Sequence, residues 1–137
     1  MILTCAKQTW HKKAATDKVR TLTRENVKKI SVIKHAALGD LIHTRPMLIA
    51  LRKEFPNARI TLDVISHYIR GIPEDLIDEL HVTKGKGFNF SDTYKSLTSL
   101  GEQDIIFDIS ATTRSFWMTL LTPAKLKLVI YTKEFTD

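Results

Sequence analysis

The sequence has a single cysteine, Cys5, in 137 residues. That excludes an intramolecular disulfide and fits a reducing compartment. Five glycines and four prolines, scattered rather than clustered, leave no low-complexity segment and no internal repeat. No apolar run approaches the roughly 20 residues that a membrane-spanning helix needs. The opening Met1-Ile2-Leu3-Thr4-Cys5-Ala6 meets Lys7 at once, too short for a signal-peptide core or a lipid-modified cysteine. The histidines at 11, 35, 43, 67 and 81 show no metal-ligand spacing, so no structural zinc is expected. These absences point to a cytoplasmic protein.

What is present is an ordinary globular composition, 43% apolar and 26% charged, enough for one domain with its own core. The net charge of +6 is unevenly placed. Residues 1–30 carry eight of the 21 basic side chains against two of the 15 acidic ones, leaving thirteen of each sign elsewhere. Residues 8–24 read as a basic helix with a thin apolar stripe of Trp10, Ala14, Ala15, Val19 and Leu22, within an amino-terminal extension over 1–27. Such a helix either lies solvated against the domain edge or meets an anionic membrane surface. Nucleic acid is not expected, because no recognition motif and no aromatic interleaving accompany the charge.

From residue 28 onward, short β-rich runs alternate with helical periodicity. Strands are expected at 30–34, 59–66, 80–83, 104–109 and 126–131. A helix follows Asp40, with Leu41, Thr44, Leu48, Leu51 and Phe55 at helical spacing. Pro46 within it implies a kink or a first turn set apart. Shorter helices are expected at 92–100 and 112–121, the latter with Phe116, Trp117, Leu120 and Leu121 inward. This alternation predicts a Rossmann-like α/β domain over 28–137, with a parallel sheet of order 3-2-1-4-5 and helices on both faces. In that order the first and fourth strands are neighbours. The loop bearing Asp40 and the loop running from Ser110 to Arg114 then line one crevice.

Asp40 after Gly39 stands where a helix begins. From spacing alone, a carboxylate capping that helix is the commoner outcome. The same ionised carboxylate can instead take the proton of an attacking hydroxyl. A dinucleotide site is disfavoured: only one of three glycines is present, and Asp40 puts negative charge where a pyrophosphate would sit.

The run from Ser31 to Ile60 resembles the amino-terminal signature of glycosyltransferase family 9, the lipopolysaccharide heptosyltransferases. The features that carry it are Lys34 closing the strand, Leu38-Gly39-Asp40, His43-Thr44, Pro46, and Phe55-Pro56-Asn57-Ala58. Further on, Asp104-Ile105-Ile106-Phe107-Asp108 followed by Arg114-Ser115 resembles the family's fourth strand and basic loop. The resemblance spans about 28–132. It implies the amino-terminal, acceptor-side half of an inverting enzyme of the two-domain GT-B type, and it favours Asp40 as the general base over the cap. It further implies substrate-binding roles for Lys34, Gly39, His43, Thr44, Arg114 and Ser115. The implied partners are a lipid A–Kdo acceptor and a nucleotide-sugar donor, ADP-heptose, held mainly by a second domain that this chain lacks. No metal or other cofactor is implied, and the enzyme would sit in the cytoplasm, peripheral to the inner membrane. By itself the chain is expected to be inactive. The competing expectation is a non-catalytic Rossmann-like binding or regulatory module. Two departures from the family pattern stand out: Arg45 where an apolar residue is usual, and Ser110-Ala111 where Gln-Gly is common.

Overall fold

The computed structural model describes residues 2–5, 8–10, 21–35, 42–65, 71–83, 94–95, 98–110 and 112–131. Five parallel strands form the frame: β3 (Lys29–Ile33), β4 (Arg59–Ile65), β5 (Glu79–Thr83), β6 (Gln103–Asp108) and β7 (Ala124–Tyr131). Their order across the sheet is β5-β4-β3-β6-β7, the 3-2-1-4-5 order expected. β3 lies at the centre because it is apolar on both sides, with Ile30, Val32 and Ile33 fully buried.

Helix α1 (Arg45–Glu54) covers one face and buries Leu48 and Leu51 against Ile30, Val32, Ile60, Leu62, Val64 and Ile105. Pro46 does not kink it. The proline sits in the first turn, where its missing N–H is no loss, and residues 42–43 form a helical turn of their own before Thr44. Arg45, the departure from the family pattern, leaves the core alone and makes a two-pronged pair with Asp75, both N–O distances 2.9 Å. Exposed pairs of this kind stabilise little. Arg52 is better placed. It holds the carbonyls of Ala58 and Leu76 and the carboxylate of Asp78, which also accepts the N–H of Ile60. Those bonds fix the entry to β4 and the exit of the crossover that ends at β5.

Helix α2 (Thr113–Leu121) covers the other face, and here the expected phase is wrong. Trp117, Leu120 and Leu121 are exposed, while Ser115, Met118 and Thr119 are buried. The two stripes share the same period, so hydrophobicity alone selects the larger side chains. What lies beneath decides otherwise. Asp108 ends β6 on this face with polar neighbours, and small hydroxyl side chains fit over it. Only Met118 reaches down, to Ile33 and Ile106.

The amino terminus also departs from expectation. In place of a helix, Gln8–Trp10 form strand β2, antiparallel to β1 (Ile2–Cys5), and β1 runs parallel to β7. The β-formers Ile2, Leu3 and Thr4 cover an edge of β7 that would otherwise stay unpaired. The rest of the basic stretch, 11–20, lies outside the described residues. So do parts of the segment expected as a helix over 92–100, of which residues 94, 95 and 98 are helical.

Candidate active site

β3 and β6 are paired so that Ile33 stands opposite Asp108, and both strands release the chain at the same edge of the sheet. That is the switch point, where chains leaving adjacent strands diverge to opposite faces and open a crevice. Asp40 and Gly39 lie outside the described residues, between His35 and Ile42.

Lys34 is half-buried rather than extended into solvent. Its N–H donates to the Asp63 carbonyl (2.9 Å), and its ammonium donates to the Ile109 carbonyl (3.1 Å). The ammonium therefore spans the gap between the two strand ends, with the Ile109 carbonyl its one partner among the described residues. Ser110 locks the same edge. Its hydroxyl accepts the N–H of His35 (2.7 Å) and donates to the Ile33 carbonyl (2.9 Å). Serine in place of the family's common glutamine thus supplies a cross-strand clasp of its own.

Thr44 is buried and His43 exposed, adjacent on the turn before α1. Arg114 is half-buried in the first turn of α2. Ser115 is fully buried and closes a capping box: its N–H donates to Thr112 Oγ1 (3.1 Å), and its hydroxyl oxygen accepts the Thr112 N–H (3.2 Å). These bonds fix the helix start that carries Arg114. Lys34 is thus carried at the carboxyl edge of β3 and Arg114 on the helix that follows β6, with Ser115 buried at the start of that helix.

Sequence reasoning missed the buried polar chain behind this edge. Asp63 is wholly buried in β4, and its carboxylate meets three donors. His35 Nε2 lies at 2.5 Å from Oδ2, His81 Nδ1 at 2.5 Å from Oδ1, and Thr83 donates to Oδ1 at 2.8 Å. Burial alone would raise the Asp63 carboxyl, but the hydrogen bonds from the two histidines outweigh it and hold it below its ordinary range. One signal was available. In the strand run Thr61-Leu62-Asp63-Val64, an acid among apolar neighbours has to find partners on adjacent strands.

Asp108 behaves oppositely. Burial pushes its carboxyl up, against the Ser110 N–H on Oδ1 and the nearby His35. Its Oδ2 has no partner among the described residues. A raised carboxyl favours folding only while protonated; that contribution is complete below the unfolded value near 3.9 and is lost as pH rises through the folded value. Asp108→Asn removes this penalty. We expect its urea midpoint to exceed the parent's at pH 7, with the gap closing at pH 4. An equal gap at both values would show that charge is not the cause.

A five-stranded parallel sheet in this order, with its crevice at the switch point, defines a Rossmann-like α/β domain. No family model matches the sequence, and no curated protein matches it. Among solved structures, the chain is similar to the glycosyl transferase family 9 protein of Veillonella parvula. The identity is 27% and the TM-score 0.67, over 77% of this chain and 32% of that one. The resemblance to glycosyltransferase family 9 thus holds in three dimensions as well as in sequence. The chain spans about a third of the length of that neighbour. No helix among the described residues is long and apolar enough to cross a membrane.

Proposed function

We propose that this chain is the acceptor-side part of an inverting glycosyltransferase of the heptosyltransferase kind, with Asp40 as general base. The observation that carries this is the likeness to a family 9 glycosyltransferase in a domain whose switch-point crevice is edged by Lys34 and Arg114. A lipid A–Kdo acceptor bears phosphates and carboxylates, and two cations at the crevice suit it. Asp40, in the segment joining β3 to α1, takes the proton from the acceptor hydroxyl as that oxygen attacks the anomeric carbon. ADP-heptose is held by a second domain.

Orientation of both substrates supplies a large part of such a rate, an effective molarity on the order of 10⁵ M or more. The 137 residues alone are therefore expected to give no transfer from ADP-heptose, and joining them to a donor-binding family 9 domain to restore it. Turnover by the chain alone, or none after joining, contradicts the proposal.

The basic residues of the amino-terminal stretch favour a peripheral contact with anionic lipid. Because β1 and β2 belong to the sheet, the test is charge removal rather than truncation. Replacing Lys12, Lys13, Lys18 and Arg20 by glutamine removes about 1 kcal/mol of surface attraction per charge. Co-sedimentation with phosphatidylglycerol vesicles should fall at least tenfold, as it should for the parent in 0.5 M salt. Unchanged sedimentation of the variant rules out the contact.

A further inference from the structure

A second constellation runs on the α2 face from Asp63, near the carboxyl end of β4, to a cavity at the amino ends of the strands. Asp63, His81 and Ser99 form a hydrogen-bonded line. Asp63 Oδ1 lies 2.5 Å from His81 Nδ1, and His81 Nε2 lies 2.8 Å from Ser99 Oγ. Exposure rises along it: the Asp63 side chain is 0% exposed, the His81 side chain 18%, and Ser99 is open to solvent. Ser99 follows the helical residue Thr98 in a turn that ends at Gly101, whose positive φ of 71° suits glycine. His81 and Ser99 line a cavity of about 180 Å³ with Lys29, Thr61, Leu100 and Gln103.

The chemistry follows from which atom can do what. The ionised Asp63 only accepts, so His81 must carry its proton on Nδ1. A neutral ring then presents a bare Nε2 to the hydroxyl of Ser99. Thr83 and His35 hold the carboxylate from its other sides, which fixes the ring's orientation. An acid that orients, an imidazole that takes a proton and an exposed hydroxyl form the arrangement that activates a serine. Lys29 lines the same cavity, as do Arg59 and Glu79, which are paired with each other.

We propose that Ser99 and His81, positioned by Asp63, hydrolyse small carboxylic esters in this cavity. Ser99 Oγ bonds to the acyl carbon while its proton passes to His81 Nε2. The bond from acyl carbon to alkoxy oxygen breaks, and the alcohol leaves with that proton. Water then attacks the acyl carbon, gives its proton to His81, and releases the acid as Ser99 regains its hydrogen. Lys29 is the cation facing the charge that develops on the carbonyl oxygen. This activity is independent of the glycosyl-transfer reading, because neither Lys34 nor Arg114 contributes to it.

The test uses the full chain with a fluorescent fluorophosphonate and 4-nitrophenyl acetate. We expect one adduct per chain, mapped by mass spectrometry to Ser99, and ester turnover above the buffer rate with a defined pH profile. Ser99→Ala should lose the label and fall to the buffer rate with its fold unchanged. His81→Gln should slow turnover by roughly 10²–10⁴-fold. Asp63→Asn, assayed at a temperature where its circular dichroism equals the parent's, should displace the pH profile, which a purely structural acid would leave in place. Absence of label on Ser99 in the parent overturns the proposal. So does Ser99→Ala that hydrolyses like the parent, or an unmoved profile in Asp63→Asn.

Discussion

Asp40→Asn, in the chain joined to its donor-side domain, is expected to lower turnover by roughly 10²–10⁴-fold with little change in acceptor affinity. An amide has nearly the size of the carboxylate but cannot take the hydroxyl proton. The interaction lost belongs to the transition state, so the effect falls on kcat. If Asp40 is only a helix cap, the pattern reverses. A cap is worth about 0.5–2 kcal/mol, and its loss lowers the melting temperature while the folded fraction turns over normally. The structure adds a reason to expect little stability change. The main helix α1 begins at Arg45 with Thr44 as its cap residue, four positions after Asp40. Melting and turnover measured on one preparation separate the two roles.

Asp63→Ala is expected to be the most damaging single substitution for stability. It leaves His35, His81 and Thr83 without the buried acceptor they share. Removing one member of a buried charged cluster typically costs about 3–5 kcal/mol. For a chain of this length that corresponds to a fall in Tm of about 10–20 °C. The pH dependence has a defined sign. The Asp63 carboxyl is lowered in the folded state, so its contribution is present above the unfolded value near 3.9 and is lost as pH falls toward the folded value. The parent's advantage over Asp63→Ala should therefore hold at neutral pH and shrink as acid titrates the carboxylate. A gap that widens in acid would show that the histidines, not the carboxylate, dominate.

The parts of the fold legible in the sequence were those written in hydrophobic period. Ile30 to Ile33, Ile60 to Val64 and Ile105 to Phe107 announce buried strands, and the helices between them dictate parallel pairing. The order across the sheet followed from connection rules. What period cannot convey is phase, when two stripes of α2 compete and the winner is set by Asp108 underneath. Nor does it reveal pairing between distant segments, which is why the β1–β2 hairpin on β7 went unforeseen beneath a strongly basic composition. The places of Lys34 and Arg114 in the fold were legible, because each lies where a local motif meets the end of an element. The Asp63 cluster was not, because its partners His35, His81 and Thr83 come from two other strands and meet only across the sheet.

The acceptor-side assignment is tested most directly by amide chemical-shift mapping of the isotopically labelled chain, titrated with a soluble Kdo-terminated acceptor. We expect saturable shifts at Lys34, His43 and Arg114, at the carboxyl edge of β3 and β6 and in the helices that follow, and weakening of the binding when Lys34 is changed to Ala. Shifts confined to the amino ends of the strands, or no saturable binding at all, would contradict it.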